Sequence, residues 1–258
     1  MDVEQNKVRE FWNNSVPMTF VDKPMTYEEK RKFRYDLQDY MHDVFKFENF
    51  KGKRVLEIGV GGGIDTAEFL RNGAEVVSVD FSQLSVKIAN SLLKEAKLNG
   101  DILLSDAKLL PFKNSEFDVV YSFGVIHHIP GVEKVLEEIK RVLRPGGVFM
   151  GMVYNKDSLL YAYSIIYLHG IKEGLLAKGM KEDELAARYS ERFTGNQHTR
   201  MYSVDDLKST LGRFFDNVWI GTYYNTIDTP EKRKVKFEIE TKSNNLGWHL
   251  IFKATKGN

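Results

Sequence analysis

The chain has 258 residues, 37 basic and 36 acidic, a formal net charge of +1 and no cysteine. Near neutrality removes any global electrostatic bias toward nucleic acid or anionic lipid, and the lack of cysteine excludes disulfides, thiolate nucleophiles and zinc–thiolate sites. The length suits one domain with a substantial core and at most a modest cap. Met1 to Glu10 alternates in charge without an apolar signal core. The longest apolar stretch, Leu159 to Leu168, falls short of the ~20 residues a bilayer-spanning helix needs. A cytoplasmic protein with no membrane span is the expectation. The basic clusters Lys30 to Arg34 and Lys232 to Lys236 read as solvated faces.

In chain order, Val8, Phe11 and Trp12 share a helical face before Pro17 and Pro24 interrupt. Thr26 and Glu29 form a capping box, and Phe33, Leu37, Tyr40, Met41, Val44 and Phe45 follow at spacings of three and four, predicting one amphipathic helix. Val55 to Ile58 is an apolar run that breaks into Gly59, Val60, Gly61, Gly62 and Gly63. A helix-length segment from Asp65 to Leu70 and a second run, Val76 to Val79, follow, ending on Asp80. Two short apolar runs joined by a helix predict parallel strands with a right-handed crossover. Asp80 then sits at the carboxyl end of the second strand, where open parallel sheets hold ligands, and its carboxylate suits a ribose diol.

Ser82 is a helix N-cap, with Leu84, Ile88, Leu92 and Leu93 on the buried stripe of a helix reaching about Leu98, where Asn99 and Gly100 end it. Ile102 to Leu104 is a third strand and Phe117 to Phe123 a fourth. Pro130 opens a helix with Val132, Val135, Leu136, Ile139 and Val142 inward, and Val148 to Val153 supply a fifth strand. Residues 154–200 read as helices inserted after it. Ser203 and Asp206 cap a further helix, and Val218 to Tyr224, Val235 to Ile239 and Trp248 to Ala254 are strand-like.

A dinucleotide fingerprint needs glycine two residues beyond its second glycine's neighbour, a place that Ile64 occupies here. The turn is instead Glu57, x, Gly59, x, Gly61, x, Gly63, and this form resembles the S-adenosylmethionine site of class I methyltransferases, in which the anion near the helix start is the methionine carboxylate. Ser105, Asp106 and Ala107 after the third strand, the run from Phe117 to His128, and Leu143, Arg144, Pro145, Gly146 and Gly147 match further motifs of that family in order over residues 55–153. The resemblance is closest to the broad group that methylates quinones, sterols and secondary metabolites. It implies a Rossmann-like, doubly wound seven-stranded α/β sheet, mostly parallel with an antiparallel last strand. It also implies an N-terminal helical lid over 1–50, a methyltransferase domain over 51–258 and a helical substrate cap over about 154–200.

The resemblance assigns cofactor binding to Glu57, Gly59, Gly61, Gly63, Asp80, Phe81, Asp106, Ala107, Ser122 and Phe123. Trp12 and Tyr27 become lid residues, or aromatic core. A methyl acceptor that must lose a proton needs a base. His127 and His128, just past the fourth strand, are the candidates, although adjacent residues in regular structure cannot both point into one pocket. Tyr154, His198, Arg200 and Tyr202 are substrate candidates, with Arg200 suited to a carboxylate or phosphate. S-adenosylmethionine, leaving as S-adenosylhomocysteine, is the expected cofactor, with no metal; the acceptor is a small molecule offering oxygen, nitrogen or carbon. Protein or nucleic-acid methylation, a nicotinamide-dependent oxidoreductase and a non-catalytic nucleoside-binding module are the alternatives. Against nucleic acid, Ser122, Phe123, Gly124 and Val125 stand where amino-directed DNA methyltransferases carry Asn/Asp-Pro-Pro-Tyr/Phe.

Overall fold

The structure is a computed structural model that describes residues 3–14, 25–191, 198–224, 226–228, 234–236 and 246–257. The helices, in chain order, are α1 (Val3–Asn14), α2 (Tyr27–Leu37), α3 (Met41–Phe45), α4 (Ile64–Arg71), α5 (Gln83–Ala96), α6 (Val132–Val142), α7 (Glu182–Tyr189) and α8 (Val204–Gly212). The strands are β1 (Arg54–Ile58), β2 (Glu75–Asp80), β3 (Asp101–Leu104), β4 (Phe117–Phe123), β5 (Leu143–Tyr154), β6 (Asp216–Tyr223), β7 (Thr226–Asp228), β8 (Lys234–Lys236) and β9 (His249–Thr255). Seven of them form one sheet in the order β3-β2-β1-β4-β5-β9-β6, six parallel and β9 antiparallel, while β7 and β8 pair as a separate antiparallel ribbon. This is the Rossmann-like architecture expected from the sequence. Among the described residues no helix is long and apolar enough to cross a membrane.

Central strands of such a sheet are covered on both faces and therefore read as unbroken apolar runs. In β1, Val55, Leu56 and Ile58 are all buried, and β1 pairs in parallel with β2 and with β4. At the edge, β3 leaves Leu103 and Leu104 exposed.

Contacts group the chain into two compact units. One comprises Trp12–Phe123, Glu133–Met150 and Thr255–Asn258, and the other Met1–Phe11, Gly124–Val132 and Gly151–Ala254. The first contains β1 to β4 with α2 to α5. Its centre is an edge-to-face aromatic layer: Phe47 meets Phe69 at 4.8 Å, and Tyr121 meets both Phe45 and Phe69 at 5.2 Å, geometries that aromatic quadrupoles favour. The second unit holds the end of β5, α7, α8 and β6. It also holds a 13-residue helix of π-type hydrogen bonding, Leu160–Lys172.

The capping boxes at Thr26 and Ser203 and the N-cap at Ser82 are all formed. Three boundaries depart from the sequence reading. The single helix expected from Thr26 to Phe45 breaks at Gln38, whose backbone is non-helical (φ −126°, ψ 65°); restarting as α3 buries Met41 and Phe45 completely. The expected turn at Leu143 to Gly147 is already part of β5, because Gly146 N–H donates to the Lys256 carbonyl and Lys256 N–H donates to that of Gly147, each at 2.9 Å. Of the strand expected over Val235 to Ile239, β8 covers the start, and the remainder lies outside the described residues.

Candidate active site

The glycine turn is shaped by backbone geometry. Gly59, Gly61 and Gly63 have φ of 84°, 50° and 82°, values that L side chains rarely adopt. The positions differ in what surrounds them. A side chain at Gly61 would meet nothing within 4 Å, whereas a Cβ at Gly63 would lie 2.8 Å from the Ala89 Cβ on α5. Gly61 therefore leaves open space for a ligand, and Gly63 lets α4 lie against α5. Gly63 N–H donates to the Val60 carbonyl at 2.8 Å, and α4 begins at Ile64 without a side-chain cap, so its first N–H groups are available to an anion.

Asp80 closes the turn. Its Oδ2 accepts from Gly61 N–H at 3.1 Å and its Oδ1 from Ser82 N–H at 2.8 Å. Burial raises its carboxyl pKa, and the backbone donors of Ser82, Gly61, Phe81 and Val60 oppose that rise. Phe81 is partly buried beside it. On the other side of the turn, Ser82 Oγ donates to the Trp12 carbonyl at 3.0 Å, and Gln83 N–H donates to Asn13 Oδ1 at 3.0 Å. The end of α1 thus lies over the Asp80–Ser82 corner, where a lid residue at Trp12 was expected. Tyr27 is elsewhere: it is buried in a core cluster with Ile64, Ala67, Leu92 and Leu93, so its ring serves as core and not as a lid.

Other expected cofactor residues have structural partners. Glu57 is buried, accepts from Thr66 Oγ1 and accepts from Ser78 Oγ at 3.2 Å. Burial, together with the nearby charge of Asp65, raises its carboxyl to about 8 against the hydrogen bonds of Thr66 and Ser78. Ser122 Oγ donates to the Ile58 carbonyl at 3.1 Å, tying β4 to β1, and Phe123 lies 6.0 Å from Phe45 with the Arg34 guanidinium 4.4 Å above its ring. Asp106 Oδ1 accepts from Lys108 N–H at 2.9 Å in a tight turn after β3, and Ala107 is buried. Sequence reading missed the brace under this platform. Arg34 grips Asp65 with two hydrogen bonds of 3.1 and 2.7 Å, and Tyr121 and Tyr35 donate to the same carboxylate at 2.9 and 3.1 Å. Burial alone would raise Asp65; the Arg34 charge and these donors hold it below the ordinary carboxylate value.

The turn, the uncapped start of α4 and the carboxylate of Asp80 fit an adenosine bearing an amino-acid carboxylate: a ribose acceptor, open space at Gly61 and backbone donors for the anion.

The histidines lie in the second unit. The segment Ile126–His128 forms a short 3-10 turn, and Arg200 N–H donates to the His127 carbonyl at 2.8 Å. His128 Nδ1 is 3.1 Å from the His198 carbonyl and from Thr199 Oγ1, and its Nε2 is 3.2 Å from Glu191 Oε1. Tyr154 Oη donates to the same Glu191 oxygen at 2.5 Å, and its ring stacks on Trp248 at 4.4 Å. His127 is only 1% exposed, and neither of its ring nitrogens has a hydrogen-bond partner among the described residues. Burial, and then the neighbouring His128, His249 and His198, hold its pKa well below the usual imidazole value, so the ring is neutral.

Of the substrate candidates, Tyr154 joins this cluster and His198 joins through its carbonyl. Tyr202 does not: it is buried and pairs with the end of β5, its N–H donating to the Tyr154 carbonyl at 3.0 Å. Arg200 is exposed, its guanidinium 4.6 Å over the Tyr202 ring. Glu191 and Trp248 were not foreseen, since no local spacing links them to residues some sixty and more positions earlier.

Residues 56–151 match the family model described as a methyltransferase domain. A ubiquinone biosynthesis O-methyltransferase of Coxiella burnetii is 25% identical over 191 residues, 67% of this chain and 81% of that one. One of the same name from Paramagnetospirillum magneticum is 31% identical over 142 residues, 55% of this chain and 56% of its own. The fold resembles an S-adenosylmethionine-dependent methyltransferase of Thermotoga maritima, with a TM-score of 0.60, 18% identity and coverage of 96% and 99%. The matched segment runs from β1 into β5 and so contains the glycine turn and Asp80, and the match, the relatives and the fold together support a class I S-adenosylmethionine-dependent methyltransferase.

Proposed function

We propose that the protein methylates a hydroxyl of a small-molecule acceptor. Bound S-adenosylmethionine supplies an activated methyl group on a sulfonium sulfur, open to in-line displacement by the acceptor's nucleophile. In this reading Asp80 holds the ribose, and the turn from Gly59 to Gly63 with the first N–H groups of α4 receives the methionine end. Phe81, Asp106 and Ala107 border the adenine. Glu57, hydrogen-bonded to Thr66 and Ser78, positions the turn from beneath. The acceptor is gripped by the cap over about 154–200, and Trp12 covers the cofactor. Fixing two reactants in line, with water excluded, contributes on the order of several kcal/mol to such a transfer.

The observation that carries the oxygen acceptor is His127. A buried, neutral imidazole with both nitrogens unpartnered among the described residues is a group waiting for a polar ligand atom, and it follows β4 by four residues in the chain. An acceptor hydroxyl can meet it by hydrogen bond and lose its proton there. The relatives named as O-methyltransferases of ubiquinone biosynthesis support the same acceptor class. His128 is the less suited of the pair, since both of its nitrogens are engaged by His198, Thr199 and Glu191.

The test is transfer of label from methyl-labelled S-adenosylmethionine into a small-molecule extract treated with protease and nuclease, with the product's linkage read by mass spectrometry. Label in an ether linkage is the expected result. Label found only in material that protease or nuclease removes would shift the acceptor to a macromolecule, and label on nitrogen or carbon would overturn the hydroxyl.

A further inference from the structure

The densest set of ligating atoms in the described residues lies in the second unit. His127, His128 and Glu191 each offer one such atom, and the three lie within 4.8 Å of one another. The His198 carbonyl, 3.1 Å from His128 Nδ1, can only accept, so it is satisfied by the tautomer with the ring proton on Nδ1; Thr199 Oγ1, also 3.1 Å away, can accept that proton or donate to a bare nitrogen. In the neutral ring Nε2 then presents a lone pair, and it faces another acceptor, Glu191 Oε1, at 3.2 Å. Two acceptors face each other stably only with a cation between them. A proton could play that part and make an ion pair of His128 and Glu191, but it would leave His127 buried with both nitrogens unpartnered among the described residues, an arrangement that calls for its own explanation. A metal ion accounts for all three residues at once.

The surroundings agree. Metal-binding imidazoles characteristically donate their other ring N–H to a carbonyl or carboxylate, which fixes tautomer and orientation, and His128 does this toward His198. Ligating carboxylates are themselves hydrogen-bonded, and Glu191 accepts from Tyr154 Oη at 2.5 Å. The separation of 3.2 Å between Nε2 and Oε1 is the spacing of two neighbouring ligands on one ion with bonds of about 2.0–2.2 Å.

We propose that His127, His128 and Glu191 bind one divalent first-row transition-metal ion of the zinc class. Two imidazoles and one carboxylate are a donor set used for zinc sites that keep a further position open, whereas magnesium and calcium take all-oxygen sets. This departs from the expectation of a metal-free site that accompanied the S-adenosylmethionine resemblance. An open position on the ion suits an acceptor oxygen, which the ion rather than a free His127 nitrogen would then make more acidic, and only that clause rests on the proposed hydroxyl acceptor. Metal binding stands on the three side chains alone.

The test uses the full chain, stripped with chelator and titrated with Co2+ and with no S-adenosylmethionine or acceptor present, so that its outcome is independent of the methylation assay. Expected is one equivalent of Co2+ per chain, with visible d–d absorption of a low-symmetry site that Zn2+ abolishes. His127→Ala, His128→Ala and Glu191→Gln should each weaken binding by about tenfold or more, while His169→Ala, at a separate His–Glu pair whose histidine is half-buried, leaves it unchanged. Retained S-adenosylhomocysteine binding by calorimetry reports that each variant is folded. Absence of stoichiometric Co2+ and Zn2+ binding by the unsubstituted protein overturns the proposal whatever the variants do, and so does binding that survives all three substitutions.

Discussion

The glycine turn and the histidine cluster place polar groups by opposite means. At the turn, backbone does the placing: three positive-φ glycines, an uncapped helix start and a carboxylate held by two main-chain N–H groups. At the cluster, side chains do it, with His128 meeting Glu191, His198 and Thr199 across 63 to 71 residues of sequence. A backbone-built site is written within some twenty-five consecutive residues and tolerates drift elsewhere. A side-chain-built site exists only while distant elements stay docked.

The sharpest way to break this contrast is to attack the brace beneath the turn. Arg34→Met leaves Asp65 buried without its cation, and loss of one partner of a buried pair costs about 3–5 kcal/mol. The urea midpoint should fall accordingly, and Arg34→Lys should rescue little, since lysine cannot reproduce the two-pronged grip. An unchanged midpoint would mean that the turn's support is backbone alone.

Asp80→Ala acts on the ligand and less on the fold. A hydrogen bond to a charged group contributes about 1.5–3 kcal/mol, so S-adenosylhomocysteine should bind roughly 10- to 100-fold more weakly by calorimetry, with the Co2+ titration of the histidine cluster unmoved. Gly63→Ala tests the packing role of that glycine. With Ala89 2.8 Å from the new Cβ and φ at 82°, about 1–3 kcal/mol of stability should be lost, read as a lower thermal midpoint. The equivalent change at Gly61, which faces open space, should cost less stability and more cofactor affinity.

A separate prediction concerns pH dependence. Glu57 is raised from 4.5 to about 8 in the folded state, so between those values the folded chain holds a proton that the unfolded chain has released. Stability from this group is therefore complete below pH 4.5, declines as pH rises, and is gone above about 8. Glu57→Gln should flatten that decline in thermal midpoints measured from pH 5 to 8. An identical slope in both proteins would remove Glu57 as its source.

How much was legible follows the same division. The Glu57-to-Asp80 motif, the strand order it implies, the capping boxes at Thr26 and Ser203 and the N-cap at Ser82 depend on residues a few positions apart, and each appears where the sequence put it. The break at Gln38 was hidden because the apolar spacing runs on through it; burial of Met41, Phe45 and Phe47 decided the restart. Tyr27 and Tyr202 looked like site residues because an aromatic in sequence shows no sign of which side faces the core. The brace of Arg34, Asp65 and Tyr121 left no local trace at all.

From sequence alone came the identity of the glycine turn, the carboxylate that ends β2, and the family, because a tight turn between a strand and a helix is a short-range demand on backbone angles that only certain residues meet. Tertiary structure decided the rest: that Gly63 serves helix packing, that Glu57 is buried with its carboxyl pKa raised, and that His127, His128 and Glu191 converge. Those outcomes depend on desolvation and on contacts between residues far apart in the chain, and neither quantity is defined until the chain has folded.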